Sequence, residues 1–267
     1  MSEPAIVVLG LGEIGRPIYE YLQRANPHTH GVDVEPVAVA SPVAIMHVCY
    51  PFTPTNGFVE TTVAYAHKYQ PQIIAVHSTV VPGTTREIER RTGVAAVYSP
   101  VRGKHTRMAD DLMHYDKFVA GGDAAAVERV AAQLRQAGFK TSIVGAPETL
   151  ELAKLLETTY FGLLIAWAQD MDRFARACGA NYSEISKFFA EIDYLPQHVF
   201  APGYIGGHCV MPNIALLKSK FESAMLDAIV SSNELKGSEL GAAAVANEKS
   251  KERARIEPKK IERGSRS

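Results

Sequence analysis

The 267-residue chain is short of cysteine, of net charge and of long apolar runs, and each shortage excludes something. Its three cysteines, Cys49, Cys178 and Cys209, are an odd number at wide spacing. They fit neither a disulfide framework nor a zinc site, so a reducing cytoplasm is expected and each thiol needs its own explanation. A net charge of -1 lacks the strongly basic balance of a dedicated nucleic-acid or membrane-surface binder. The longest apolar stretches, such as AIVVLGLG and LLIAWA, fall far short of the ~20 residues that cross a bilayer. The start, MSEPAIVVLG, carries no basic region ahead of its apolar run, so no secretory leader is expected.

What is present is patterned. Short apolar runs, AIVVLG (5–10), AIMHVCY (44–50), QIIAVHS (72–78), VAAVYSP (94–100), KFVAGG (117–122) and KTSIVG (140–145), alternate with stretches of helical length such as EIGRPIYEYLQRA and AAAVERVAAQLRQAG. Continuous apolar strands between helices predict βαβ units and a doubly wound, mainly parallel sheet over residues 1–146. From Pro147 the texture changes to PETLELAKLLETTYFGLLIAWAQDMDRFARACG, a long helical period with no internal proline. A helix that long, apolar on several sides, must bury more than one face, so it is expected to organise a helical domain over 147–233 and to pair two subunits. YSEISKFFAEI reads as a further helix, PNIALLKSKFESAMLDAIVSSN as a last amphipathic stretch, and 234–267 as a charged, disordered tail.

Directly after the first strand stands G-L-G-E-I-G, with Gly10, Gly12 and Gly15. In a Rossmann-type dinucleotide site the first glycine makes the turn, the second admits the pyrophosphate and the third brings helix close to strand. The helix N-terminus then offers N–H groups and positive potential to the phosphates. Asp33, in HGVDV, lies at the distance expected of a ribose-binding acid, which favours NAD over NADP. VEPVAVASP after it is too short for a full helix.

The chain resembles the UDP-glucose/GDP-mannose dehydrogenase family through five stretches in the family's order: VVLGLGEIG, VCYPFTPTNG, HSTVVPGTT, the long helix, and PGYIGGHCVMPN. The resemblance implies an NAD enzyme that oxidises a sugar-nucleotide alcohol to a carboxylate in two hydride transfers. It assigns Glu13, Ile14 and Thr53 to the cofactor beside the glycines, and Thr79 to nicotinamide and substrate, against a plain reading of Thr79 as a turn cap. Cys209 corresponds to the nucleophile that traps the aldehyde and passes through a thioester; Cys49 and Cys178 read as core residues. Gly206 and Gly207 let the loop wrap a substrate, His208 or Lys154 could stabilise the thiolate, and Lys154 a developing oxyanion.

Three positions depart from the family: Thr158 stands for asparagine, Asn213 for aspartate, and Val101 for an acid that helps thioester hydrolysis. The family also continues into a second α/β domain that grips the nucleotide, whereas this sequence stops at Ser267. Arg102, Lys104, His105 and Arg107 in VRGKHTR are a candidate replacement grip for a phosphate or carboxylate, or else a solvated loop. Two further readings stay open: a 3-hydroxyacid-type dehydrogenase, which needs no Cys209, and an NAD-binding regulatory protein with impaired catalysis.

Overall fold

The computed structural model describes residues 4–35, 37–39, 42–53, 55, 57–104, 107–190, 192–193, 200–207 and 209–241. Two compact units divide the chain, Met1–Leu156 and Glu157–Ser267. The first holds seven strands, β1 (Ala5–Leu9), β2 (Thr29–Val32), β3 (Val43–Val48), β4 (Ile73–Val76), β5 (Ala95–Tyr98), β6 (Lys117–Gly121) and β7 (Thr141–Ile143). They lie in the order β2-β1-β3-β4-β5-β6-β7, and only the β5–β6 pair is antiparallel. Helices α1 (Gly15–Ala25), α2 (Phe58–Tyr69), α3 (Thr84–Thr92), α4 (Met108–His114) and α5 (Ala124–Gln136) cover it, with the first turns of α6 (Pro147–Ala177).

The strands read as unbroken apolar runs because both faces of the sheet are covered. Ile6 and Val8 pack with Ile18 and Leu22 of α1 and Val130 and Leu134 of α5. Val7 and Leu9 point the other way, toward Phe58 of α2, Ile88 of α3 and Leu150 of α6. No helix stands between β2 and β3 among the described residues, as the short VEPVAVASP segment predicts. Helix α1 approaches β1 with no room for a side chain: a Cβ on Gly15 would lie 1.8 Å from the carbonyl oxygen of Gly10 and 2.9 Å from Cβ of Cys49.

A polar seam crosses this core where sequence periodicity shows only strands. His47 on β3 and His77 after β4 are fully buried and stacked, with His47 Nδ1 2.8 Å from His77 Nε2. His77 Nδ1 meets the Ser99 carbonyl at 2.6 Å and must donate to it, so its Nε2 accepts from His47 Nδ1. His47 Nε2 is then an acceptor too, and Gln133 must turn its amide nitrogen across the 2.7 Å contact between them. Burial holds His47 neutral, with its pKa lowered to about 4. Lys117 of β6 donates from Nζ to Ser99 O at 2.6 Å and Pro100 O at 3.1 Å, and burial brings its ammonium down to about 7.

The second unit continues α6 and adds α7 (Tyr182–Ala190), α8 (Val210–Lys218) and α9 (Ala224–Leu240). Gly162 lets α8 approach α6, since a Cβ there would meet Val210 Cγ1 at 2.6 Å. Three expectations change. PNIALLKSKFESAMLDAIVSSN is two helices, because Ser219 folds its hydroxyl back on Leu216 O at 2.7 Å and Ser223 is extended before α9. Helix α9 continues past Asn233, where the charged tail was expected to begin, as Lys236 and Glu239 form ion pairs with Asp172 and Arg176 of α6. Cys178 is exposed rather than core, since it follows the end of α6 at the Gly179 turn (φ 70°). The remainder of the tail, 242–267, lies outside the described residues.

Gly15→Ala is expected to lower the unfolding free energy by about 3 kcal/mol, because two backbones must separate; urea titration checks it, and a loss under about 0.5 kcal/mol would contradict the packing. For Lys117, the folded pKa of about 7 lies below that of the unfolded chain. Between the two the unfolded chain holds the extra proton, so raising the pH stabilises the fold. Relative to Lys117→Met, the parent should gain up to about 1.4 kcal/mol per pH unit above neutrality; parallel pH profiles of the two would refute the assignment.

Candidate functional site

The carboxyl ends of the parallel strands gather the first group of candidates within the first unit. The strand order reverses about β1, with β2 on one side and β3 on the other, which is where open α/β sheets bind ligands. Gly10 turns there with φ 83°, and a Cβ on it would strike Tyr50 N at 2.7 Å. A Cβ on Gly12, by contrast, would meet nothing within 4 Å. Glu13 and Ile14 complete the turn into α1, Ile14 being its N-cap, and the first turn of α1 carries no acid to repel an anion. Gly10 N–H donates to Val32 O at 2.8 Å, which sets the turn directly beside exposed Asp33. An open glycine, a free helix N-terminus and a flanking acid are what a dinucleotide's phosphates and ribose require. Exposed Thr53 follows β3 and half-buried Thr79 follows β4 on the same edge.

Of the loop after β5, Arg102 donates to Asp116 O at 2.7 Å and its guanidinium lies 4.8 Å from the centre of the Phe118 ring. Arg107 pairs with buried Asp111, which also accepts the Lys104 backbone N–H at 2.8 Å. These contacts fold the loop itself and leave the Lys104 side chain exposed. His105 lies outside the described residues, and Val101 is buried in the core. Beneath the loop, Lys117 lies within electrostatic reach of Cys49, Arg102 and Lys154. Burial pushes the Cys49 thiol up to about 12, which makes it a core thiol and no nucleophile.

Sequence reasoning missed Glu151, one turn before Lys154 on α6. Its fully buried carboxylate accepts from Gly83 N at 2.6 Å, Thr85 N at 2.8 Å and Thr85 Oγ1 at 2.6 Å. Gly83 is the N-cap of α3 and has no side chain to cap with, so an acid from another helix serves instead. Burial raises the pKa of Glu151 above the ordinary glutamate range, and its three donors work against that rise. The bond ties the helix bearing Lys154 to the loop that runs on from Thr79. Only the tertiary structure shows this, since one more acid on a helix carries no signal.

The second unit gathers the other group. Cys209 is half-buried and is the N-cap of α8, so the loop ends there and Asn213 falls in the helix's first turn. Pro212 is tolerated beside it because first-turn N–H groups have no helical partner. Asn213 Nδ2 donates to Thr158 Oγ1 of α6 at 2.9 Å, so two of the departing positions meet each other. Gly206 and Gly207 are half-buried ahead of the thiol, and His208 lies outside the described residues. Among the described residues no three His, Cys, Asp or Glu side chains gather as a metal site would need, and no helix is long and apolar enough to cross a membrane.

Comparison with known proteins adds a partial family match. Residues 148–235 match the UDP-glucose/GDP-mannose dehydrogenase family, central domain. The UDP-N-acetyl-D-mannosamine dehydrogenase of Methanocaldococcus jannaschii is 26% identical over 168 residues, 58% of this chain and 37% of that protein. The UDP-glucose 6-dehydrogenase of Streptococcus pneumoniae is 21% identical over 245 residues, 86% of this chain and 58% of that protein. The chain thus spans between about a third and three fifths of these relatives' lengths. The solved UDP-D-ManNAc dehydrogenase of Pyrococcus horikoshii superposes with a TM-score of 0.76 at 20% identity, covering 95% of this chain and 73% of that one, which establishes the shared fold. The match to the UDP-glucose/GDP-mannose dehydrogenase family thus rests on residues 148–235, about a third of the chain, and the resemblance of the whole chain is one of fold.

Proposed function

We propose that the protein is an NAD-dependent oxidoreductase that oxidises a primary alcohol on a nucleotide sugar or another phosphate- or carboxylate-bearing substrate. The observation that carries this is the glycine turn: Gly10 and Gly15 are closed by contacts, while a Cβ on Gly12 would meet nothing within 4 Å, beside Asp33. NAD, when bound, supplies the hydride acceptor. Gly12 admits its pyrophosphate, Asp33 takes ribose hydroxyls, and Thr53 and Thr79 face it from the neighbouring strands.

Lys154 stabilises the oxygen as the alcohol loses its proton and hydride. Cys209, as the N-cap of α8, stands at the positive end of a helix, which suits an attacking sulfur anion. Its thiolate adds to the aldehyde to give a thiohemiacetal; a second hydride transfer yields a thioester, and water releases the carboxylate. Three widely spaced cysteines, none of them in a disulfide, suit a reducing, cytoplasmic setting. The Thr158–Asn213 bond favours a second reading, in which the thioester step is weakened and the protein binds NAD with little turnover.

Tyr160, Trp167 and Phe174 stand seven residues apart on α6 and are 54%, 55% and 58% exposed. That spacing is about two helical turns, so the three form one aromatic stripe, and a second copy of the chain is the partner the reading gives it. Light scattering at micromolar concentration should show a dimer for the parent and a monomer for Trp167→Glu; a monomeric parent would remove the homodimer.

Absorbance of reduced nicotinamide, followed with a panel of sugar nucleotides and small hydroxy acids, tests the activity. Turnover is expected on a sugar nucleotide, with Cys209→Ser halted at the aldehyde. Carboxylate release by that variant at the parent rate would sink the thioester role, and NAD binding without turnover on any substrate would favour the second reading. Gly12→Val should keep the parent's stability and weaken NAD by at least about 1.4 kcal/mol, or ten-fold in Kd. Unchanged affinity would remove the cofactor site.

A further inference from the structure

The loop before Cys209 is anchored by two buried side-chain amides that no motif marks. Asn233 of α9 and Gln169 of α6 are 3% and 0% exposed. Asn233 Oδ1 accepts from the Ile205 N–H at 2.8 Å while its Nδ2 donates to the Ile205 carbonyl at 3.0 Å. A side-chain amide thus pairs with both polar backbone atoms of one residue, as a neighbouring strand would. Gln169 Nε2 donates to Gly203 O at 2.6 Å and to Asn233 Oδ1 at 3.3 Å, spending its two hydrogens on the loop and on the first amide. Ser232 Oγ lies 3.0 Å from Gln169 Oε1 and fixes which way that amide faces.

Buried backbone groups left unpaired are costly, and Ile205 is itself buried. A segment with glycine at 203, 206 and 207 has little internal stiffness of its own. We infer that Asn233 and Gln169 are positioning residues for Cys209: they hold Gly203 and Ile205 in place, so that the two glycines deliver the thiol to the N-cap of α8. The inference rests on the proposed nucleophilic role of Cys209 for its catalytic meaning, though its geometry stands without that role.

The chain provides its own reference, because Cys178 is exposed in the same unit. Limited iodoacetamide labelling of the full chain, read by mass spectrometry, gives the ratio of alkylation at Cys209 to that at Cys178. Asn233→Ala removes three of the bonds above and should free the half-buried Cys209, raising the ratio about five-fold or more. Ser231→Ala, an exposed position on the same turn, should leave it unchanged. Where the parent turns over, kcat should fall by about ten-fold or more with the KM for NAD within two-fold, the loss lying in chemistry rather than cofactor binding. Should Asn233→Ala fail to fold, Asn233→Asp keeps the volume and the acceptor for Ile205 N–H, sets a second acceptor against Ile205 O in place of the donor, and is read by the same ratio. A folded variant whose ratio stays within about two-fold of the parent overturns the inference. A parent with no turnover on any substrate refutes the proposed activity instead, and leaves the labelling ratio readable.

Discussion

The first unit depends on one close approach, the backbone of Gly15 lying against the carbonyl of Gly10. With a Cβ only 1.8 Å from that oxygen, no other residue fits at 15 without parting helix from strand. The contact fixes where α1 begins, which brings the helix's positive end to the turn. It also seats Cys49 against the helix start, so this thiol is spent on packing. Gly12, between the two closed glycines, is left as the open position, and the Gly10–Val32 bond sets Asp33 beside it. A packing requirement and the proposed cofactor site are therefore made by the same six residues.

Away from that turn, the unit is held by buried imidazoles, an amine and a carboxyl group that bond across its elements. Ser99 O accepts from both His77 and Lys117, which ties the carboxyl ends of β4 and β5 to the start of the antiparallel β6. Glu151 does the same between α6 and the N-terminus of α3. Buried groups of this kind add direction rather than much net stability, since desolvation offsets a large part of each bond. Their effect is to fix the edge of the sheet from which the segments bearing Thr79 and Arg102 run on.

In the second unit the same economy appears in neutral form. Asn233 and Gln169 hold the loop, and Asn213 of α8 meets Thr158 of α6. Where the family resemblance leads one to expect an aspartate and an asparagine, this chain pairs an amide with a hydroxyl. The pair carries no charge, so the neighbourhood of Cys209 has one anion fewer than that expectation.

Strands, the glycine turn, the long helix and the cysteine loop were legible because each obeys a local rule: apolar runs, fixed spacing, helical period, and an odd thiol among glycines and proline. The two-helix break at Ser219, the reach of α9 to Leu240 and the exposure of Cys178 were not, because they follow from which side chains met after folding. The doubly wound sheet, the order of its elements and the place of the turn after β1 could be read along the chain, since those rest on sequence neighbours. That Gly12 is the open glycine, that Glu151 caps a helix not its own, and that Asn233 holds Ile205 came only with the folded contacts. Those contacts join residues that stand far apart in the chain, and a one-dimensional pattern carries no record of which distant polar groups will need each other once water is gone.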